Sequence, residues 1–318
     1  MTQTFTSTKP FALERGGQID GLELCYTTYG EFDAEKSKVV FVFHALTANS
    51  KVLDWWPGLF GPNDYFNPKE HFIVCVNIIG SPYGSTRPKD LSFPLFTIRD
   101  IAKSQLLVTN HLGINKIDVL IGGSCGGSQA LEFALAFKGE IKRMILLATA
   151  PKENPWVIGI HEVQRMAMQS DPNFGISATA GLKVARAIGM ISYRTPEDFN
   201  LRQKEEKEKL DDFKASSYMQ YQGTKFEKRF DSICYYYLTK CLDSHDLGRG
   251  RGGINSVLSG IEIPTDIIAL SPDLLIDPSH QKEMSDLLPN GRYHQIESLY
   301  GHDGFLLETK KIVECLKA

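Results

Sequence analysis

Ile121-Gly122-Gly123-Ser124-Cys125-Gly126-Gly127 follows the apolar run Lys116-Ile117-Asp118-Val119-Leu120 and precedes the helix-forming stretch Ser128-Gln129-Ala130-Leu131-Glu132-Phe133-Ala134-Leu135-Ala136-Phe137. The order predicts a strand that turns directly into a helix. At the turn stands G-x-S-x-G, read as Gly122, Ser124 and Gly126, the spacing of a nucleophile elbow. So tight a turn holds its central residue at strained backbone angles and leaves no room for side chains two positions either side, which is the physical reason for the glycines. Ser124 is expected at the tip with its hydroxyl exposed, and the Cys125 N–H, first in the helix, points toward whatever the serine attacks. A Gly-rich turn of this kind also binds phosphate or simply packs closely, so the rest of the chain has to decide.

Working outward, 318 residues with 42% apolar and 23% charged side chains supply ample material for a buried core. The formal net charge of -3, with Lys and Arg scattered, offers no basic field for nucleic acid. Met1-Thr2-Gln3-Thr4-Phe5 has no charged lead before an apolar stretch, and no later run reaches the length of a membrane span. A cytoplasmic protein with neither membrane nor nucleic-acid partners is expected. The cysteines Cys25, Cys75, Cys125, Cys234, Cys241 and Cys315 form no CxxC pair, so neither disulfides nor a metal site is expected. A helix N-terminus favours thiolate at Cys125, yet the elbow spacing selects Ser124 and leaves Cys125 to contribute its N–H.

From Phe11 to Gly30, apolar and polar residues alternate around Gly16-Gly17-Gln18-Ile19-Asp20-Gly21, the pattern of an antiparallel hairpin at a sheet edge. Continuous apolar runs at 38–43, 72–78, 119–121 and 144–147, with later ones at 265–270 and 293–296, fit strands covered on both faces. Separated by helical stretches, they predict an α/β architecture: a mostly parallel central sheet flanked by helices, joined by right-handed crossovers. Residues 152–252 read differently, with few β-branched runs and helical patterns such as 159–168. They are expected to form an inserted helical lid, with 1–151 and 253–318 as the core. The charged segment 202–209 is read as a solvated helix face with i,i+4 pairs.

An elbow serine needs a base, and the base needs an orienting group. In chain order, an acid after a later strand and a histidine near the C-terminus follow such a serine. The strand 267–270 runs into Ser271-Pro272-Asp273-Leu274-Leu275-Ile276-Asp277-Pro278, offering Asp273 or Asp277, and Leu299-Tyr300-Gly301-His302-Asp303-Gly304 offers His302 between glycines. His71, His111, His245, His280 and His294 sit in polar or surface-like settings. His44 instead follows the strand at 38–43 in His44-Ala45-Leu46-Thr47, where a second oxyanion donor is supplied in this chain order.

The chain resembles the homoserine O-acyltransferases of methionine biosynthesis, within the α/β-hydrolase superfamily. The residues that carry the resemblance run along nearly the whole chain: Phe43-His44-Ala45-Leu46-Thr47, Thr97-Ile98-Arg99-Asp100, Gly122-Gly123-Ser124 with Gly126-Gly127, Ile191-Ser192-Tyr193-Arg194, Arg229-Phe230-Asp231, Asp246-Leu247-Gly248-Arg249-Gly250-Arg251-Gly252-Gly253 and Tyr300-Gly301-His302-Asp303. The resemblance implies Ser124 as acylated nucleophile, His302 as base, Asp273 as orienting acid with Asp277 behind it, and Leu46 and Cys125 as oxyanion N–H donors. It also implies Arg194 as the contact for a homoserine carboxylate and Asp303 for its amine. One cation and one anion set apart suit an amino acid, and a guanidinium suits its carboxylate. The implied reaction is ping-pong acetyl transfer from acetyl-CoA to L-homoserine, with no permanently bound cofactor, in a homodimer built on the lid helices. Trp156 or Tyr235-Tyr236-Tyr237 lies in that contact or packs the core.

Where the family has methionine at Cys125, glycine at Ala48 and at Arg87, and cysteine at Pro82, this chain departs from it. Arg87 is read as a partner for a CoA phosphate, a partner for a succinyl carboxylate, or a solvated loop residue. A succinyl donor, a serine acceptor and simple ester hydrolysis are the alternatives on the same triad.

Overall fold

The structure is a computed structural model that describes residues 1–318. The elbow strand lies in the middle of one sheet. In chain order its strands are Thr2–Thr6 (β1), Glu23–Tyr29 (β2), Lys38–Phe43 (β3), His71–Val76 (β4), Val119–Gly123 (β5), Met144–Leu147 (β6), Thr265–Ser271 (β7) and Gly291–Glu297 (β8). They line up as β1-β2-β4-β3-β5-β6-β7-β8, with β1 and β2 antiparallel at one edge and the rest parallel.

Both sheet faces are covered, and the strand sequences show it. In β3, Val39, Phe41 and Phe43 join one core cluster while Val40 and Val42 join the other; in β6, Met144 and Leu146 face one way and Ile145 and Leu147 the other. Period-two alternation of apolar side chains toward two separate cores is what turns a parallel strand into a continuous apolar run. Helices Ile98–His111 (α1) and Cys125–Ala136 (α2) cover the larger core, and the C-terminal helix Thr309–Lys317 seals the smaller one with Ile312 and Leu316. At the start of α1, Thr97 and Asp100 form a reciprocal capping box, and Asp100 is fully buried.

The hairpin expected around Gly16 forms as a two-residue pairing of Phe11–Ala12 with Gln18–Ile19. It stands outside the main sheet, whose edge is made instead by β1 against β2. The Thr-rich Thr2–Thr6 carries one partly buried residue, Phe5, and so lacks an alternating signal strong enough to be read as a strand.

Between Pro155 and Asp243 the chain forms five helices and no strand: Pro155–Gln169 (α3), Thr179–Tyr193 (α4), Pro196–Arg202 (α5), Lys214–Glu227 (α6) and Ser232–Asp243 (α7). The ends of this segment meet. Lys152 bridges Asp246, Leu247 N–H donates to Pro151 O at 2.9 Å and Glu153 N–H to His245 O at 3.0 Å. Ion pairs then tie the returning strand of chain to the core, Arg249 to Glu14 at 2.9 Å and Arg251 to the buried Glu132 at 2.7 Å, with Arg99 on both carboxylates.

The charged stretch 202–209 is not a helix face. Helix α5 ends at Arg202, and the following residues are an exposed loop in which Lys209 pairs with Glu205. Complementary charges four apart stabilise a helix that already buries something, and this stretch has no apolar stripe to bury. Tyr235 and Tyr237 are buried among core residues, whereas Trp156 is 64% exposed at the start of α3. No helix is long and apolar enough to cross a membrane.

Candidate active site

Ser124 occupies the turn from β5 into α2 with φ 56° and ψ -129°, a strained conformation for a residue with a side chain. Its neighbours permit that turn. A Cβ on Gly122 would meet Gly126 carbonyl oxygen at 2.3 Å, and one on Gly126 would meet Phe43 O at 2.2 Å. The Ser124 N–H donates to Leu147 O at 2.9 Å, so strand β6 holds the elbow from the other side.

His302 comes from the turn after β8 and is 4% exposed. Its Nε2 lies 2.8 Å from Ser124 Oγ and its Nδ1 2.7 Å from Asp273 Oδ2. The carboxylate only accepts, so Nδ1 carries the hydrogen and Nε2 is free to accept from the serine hydroxyl. The other Asp273 oxygen accepts from Leu275 N–H at 2.8 Å and Ile276 N–H at 3.1 Å, which fixes the carboxylate after β7. Asp277 is exposed and accepts from Ser279 N–H at the start of helix Pro278–Leu287, where it serves as a cap and does not reach His302. Burial opposes charge on His302. The Asp273, Asp303 and Glu153 carboxylates outweigh it, and the imidazole is held above its ordinary value.

Leu46 and Cys125 line the cavity of about 330 Å³ that Ser124 opens into. The Leu46 N–H donates to no protein group, and the Cys125 N–H belongs to the first turn of α2, where helix donors lack intrahelical partners. The peptide that carries the Leu46 donor is fixed by His44. Fully buried, His44 turns Nδ1 to Ala45 O at 2.8 Å and Nε2 to the Ile78 N–H at 3.3 Å. One ring nitrogen donates and the other accepts, so the ring is neutral, in keeping with burial pushing it down to about 4. The Cys125 thiol is pushed up to about 12 by burial and is inert beside the serine.

Arg194 and Asp303 are not set apart. Arg194 Nε lies 3.0 Å from Asp303 Oδ2, and the same guanidinium lies 3.7 Å from Asp198 and over the Tyr300 ring at 5.8 Å. Arg194 borders a separate groove with Phe199, Arg202 and Tyr218, outside the cavity. The guanidiniums that do line the cavity are Arg186 and Arg229. Arg186, on α4, stacks over Tyr193 at 5.7 Å and Phe226 at 5.0 Å, and its charge reaches Asp303. Arg229 donates to Thr47 O at 2.7 Å and the Tyr83 hydroxyl at 2.8 Å. Arg87 pairs with Asp231 at 3.0 Å in a groove that adjoins the cavity through Arg229.

His245 is not a surface residue. It is 4% exposed, lines the cavity, and is pushed down to about 4 by burial. Glu153, His161 and His245 were invisible to motif reading, because nothing in local sequence says that the two ends of the helical segment meet at the cavity.

The chain matches a family model described as the alpha/beta hydrolase fold over residues 38–309. It is 41% identical to a homoserine O-acetyltransferase of Cyclobacterium marinum over 100% of this chain and 95% of that protein. A solved homoserine O-acetyltransferase of Staphylococcus aureus superposes with a TM-score of 0.87 at 29% identity, covering 100% of this chain and 95% of that one. Esterase E22, at 20% identity and a TM-score of 0.90 over 99% of both chains, shares the fold.

Proposed function

The chain belongs to the homoserine O-acetyltransferase family within the α/β-hydrolase fold, and from that premise we propose how its own residues move an acetyl group from acetyl-CoA to the hydroxyl of L-homoserine, a step of methionine biosynthesis. The single observation that carries the residue roles is the unbroken chain from Ser124 Oγ through His302 to Asp273 at 2.8 and 2.7 Å.

Ser124 Oγ attacks the thioester carbonyl while His302 Nε2 takes its proton, and Asp273 steadies the imidazolium. The Leu46 and Cys125 N–H groups hold the oxyanion. As the tetrahedral adduct collapses, the carbon–sulfur bond breaks, the thiolate takes the proton from His302, and acetyl-Ser124 remains. The homoserine γ-hydroxyl then gives its proton to His302 Nε2 and attacks the acetyl carbonyl, and Ser124 recovers its proton as O-acetylhomoserine leaves.

Arg186, not Arg194, is assigned to the amino-acid carboxylate, because it lines the cavity and has no carboxylate of its own. Asp303 receives the amine, with Arg194 holding that carboxylate in place. Residues 152–252 act as the lid, which keeps water from the acyl-serine and makes the enzyme a transferase. A homodimer through the lid helices covers Trp156, and a cytoplasmic setting suits both substrates. Mixing protein with acetyl-CoA alone and measuring intact mass tests the nucleophile. One added acetyl group, absent in Ser124→Ala, is expected; a wild type left unmodified by acetyl-CoA contradicts the acyl-enzyme.

A further inference from the structure

One guanidinium at the cavity has no part in that mechanism. Of the residues that line the space around Ser124, only Lys152 and Arg229 are exposed, the rest being buried or half-buried, so these two mark where the cavity opens. Their charges are met differently. Lys152 Nζ pairs with Asp246 at 3.0 Å. Arg229 meets no carboxylate: its Nη1 donates to Thr47 O at 2.7 Å and to the Tyr83 hydroxyl at 2.8 Å, and its guanidinium lies over the Phe226 ring at 5.0 Å. Those contacts fix the group and use one of its nitrogens. The edge formed by Nε and Nη2 keeps its N–H donors without a protein acceptor, and that edge is the planar fork that meets two oxygens of one phosphate or carboxylate.

Arg229 also lines the neighbouring groove, and the ion pairs there leave the same surplus of positive charge. Arg87 pairs with Asp231 at 3.0 Å and Glu227 with Lys183 at 3.0 Å, so both carboxylates of the groove are matched and Arg87 is neutralised. Lys228, exposed beside Arg229, pairs with no carboxylate. The mouth is therefore positive where the cavity runs into the groove, which attracts a polyanion to this side of the molecule. Coenzyme A carries its phosphates at the far end of a long uncharged pantetheine arm. A cavity of about 330 Å³ takes the thioester end and not the nucleotide, so the phosphates stay at the mouth, among the exposed residues.

We propose that Arg229 is the phosphate contact for the acyl donor, the edge of Nε and Nη2 taking two oxygens of the coenzyme A diphosphate at the mouth while the thioester reaches Ser124. This rests on the acetyltransferase reading and adds the group that recognises the donor by its carrier. The bonds to Thr47 and Tyr83 hold the guanidinium in place before the donor arrives, so little side-chain freedom is lost on binding.

The test compares kcat/KM for three donors, each with L-homoserine: acetyl-CoA, acetyl-dephospho-CoA, which lacks the ribose phosphate but keeps the diphosphate, and S-acetyl-pantetheine, which has no phosphate. The wild type should prefer acetyl-CoA to acetyl-pantetheine by roughly tenfold or more, and the preference should shrink as salt is added. Arg229→Ala should lower kcat/KM for both coenzyme A donors by roughly tenfold or more, through KM, and lower that for acetyl-pantetheine by less than about threefold. Arg229→Lys, which keeps the charge without the fork, should fall between. Equal use of acetyl-CoA and acetyl-pantetheine by the wild type overturns the proposal, and that arm needs no variant to fold. An equal loss with every donor from Arg229→Ala overturns it as well, for Arg229 would then only hold the Thr47 segment beside the Leu46 donor. A loss with acetyl-CoA that spares acetyl-dephospho-CoA would move the contact to the ribose phosphate and overturn the diphosphate assignment. Absence of homoserine-dependent transfer from acetyl-CoA in the wild type would instead overturn the acetyltransferase reading, and this inference with it.

Discussion

Arg194 Nε lies 3.0 Å from Asp303 Oδ2, so that Asp303 faces the catalytic cavity with one side already held by a guanidinium outside it. The carboxylate is thereby fixed beside His302, and the guanidinium proposed to meet an incoming amino acid is Arg186, eight residues earlier on α4. Arg186→Ala should raise KM for homoserine by roughly 10- to 150-fold, the cost of about 1.5–3 kcal/mol for a hydrogen bond to a charged group, while KM for acetyl-CoA moves little. Arg194→Ala should act less, and through Asp303. Steady-state kinetics with each substrate varied checks this, and a larger KM effect from Arg194→Ala would reverse the assignment.

Asp273 and Asp277 separate cleanly. Asp273→Asn leaves the geometry but offers His302 the wrong hydrogen-bonding partner, and kcat should drop by roughly 10³- to 10⁴-fold. Asp277→Asn removes a charge from an exposed cap and should leave kcat within about twofold, since Asn caps a helix nearly as well. Equal losses from the two would mean the acid has been misplaced.

The elbow strand, the parallel sheet and the serine-acid-histidine order were legible in the sequence because each is a local pattern: two faces of burial in β3 and β6, glycines where Cβ atoms cannot fit, histidine between turns. The choice between Arg186 and Arg194 was not. They stand about 80° apart by helical phase, and Arg194 has already left the helix with extended angles, so only the packing of α4 says which one enters the cavity. His245 and Glu153 depend in the same way on a meeting of distant chain segments. The charged run at 202–209 had the right pairs and no apolar face to make a helix of them.

His302 acts as a base only when neutral, and its neighbouring carboxylates hold its pKa above the ordinary 6.5. Activity should therefore fall as pH drops through that raised value, with the half-maximal point of the acid limb of kcat/KM above pH 6.5. A limb centred well below 6.5 would mean that burial outweighs the carboxylates. Removing the Glu153 charge by Glu153→Gln should move the limb to lower pH.

His44 and His245 are both pushed down to about 4 by burial, so each binds a proton more readily in the unfolded chain. Acid then favours unfolding. Stability should decline as pH falls from about 6.5 toward 4, by on the order of 3 kcal/mol for each histidine at full effect, and level off below that window for these two groups. Denaturant midpoints across this range in wild type and His44→Gln read the slope, which should be shallower in the variant. An equal slope would show that His44 does not contribute.

His44 also serves the chemistry through the Ala45–Leu46 peptide. His44→Leu strands the Ile78 N–H and the Ala45 carbonyl and frees the Leu46 donor to turn, so kcat should fall by roughly 10²-fold or more, toward the loss seen when one oxyanion donor is removed. KM for homoserine should stay within a few-fold, because the proposed amino-acid contacts, Arg186 and Asp303, come from other segments of the chain. A variant that changes KM and leaves kcat intact would place His44 outside the oxyanion support.

The central claim is that acetyl-Ser124 is handed to homoserine and kept from water. Release of free CoA thiol from acetyl-CoA, followed with no acceptor, with L-serine and with L-homoserine, in wild type and Ser124→Ala, tests it most directly. Sustained release is expected only with homoserine, with a far lower rate with serine and none from Ser124→Ala beyond the uncatalysed background. Sustained release at the same rate without any amino acid would contradict it, for the acyl-enzyme would then be turning over by hydrolysis.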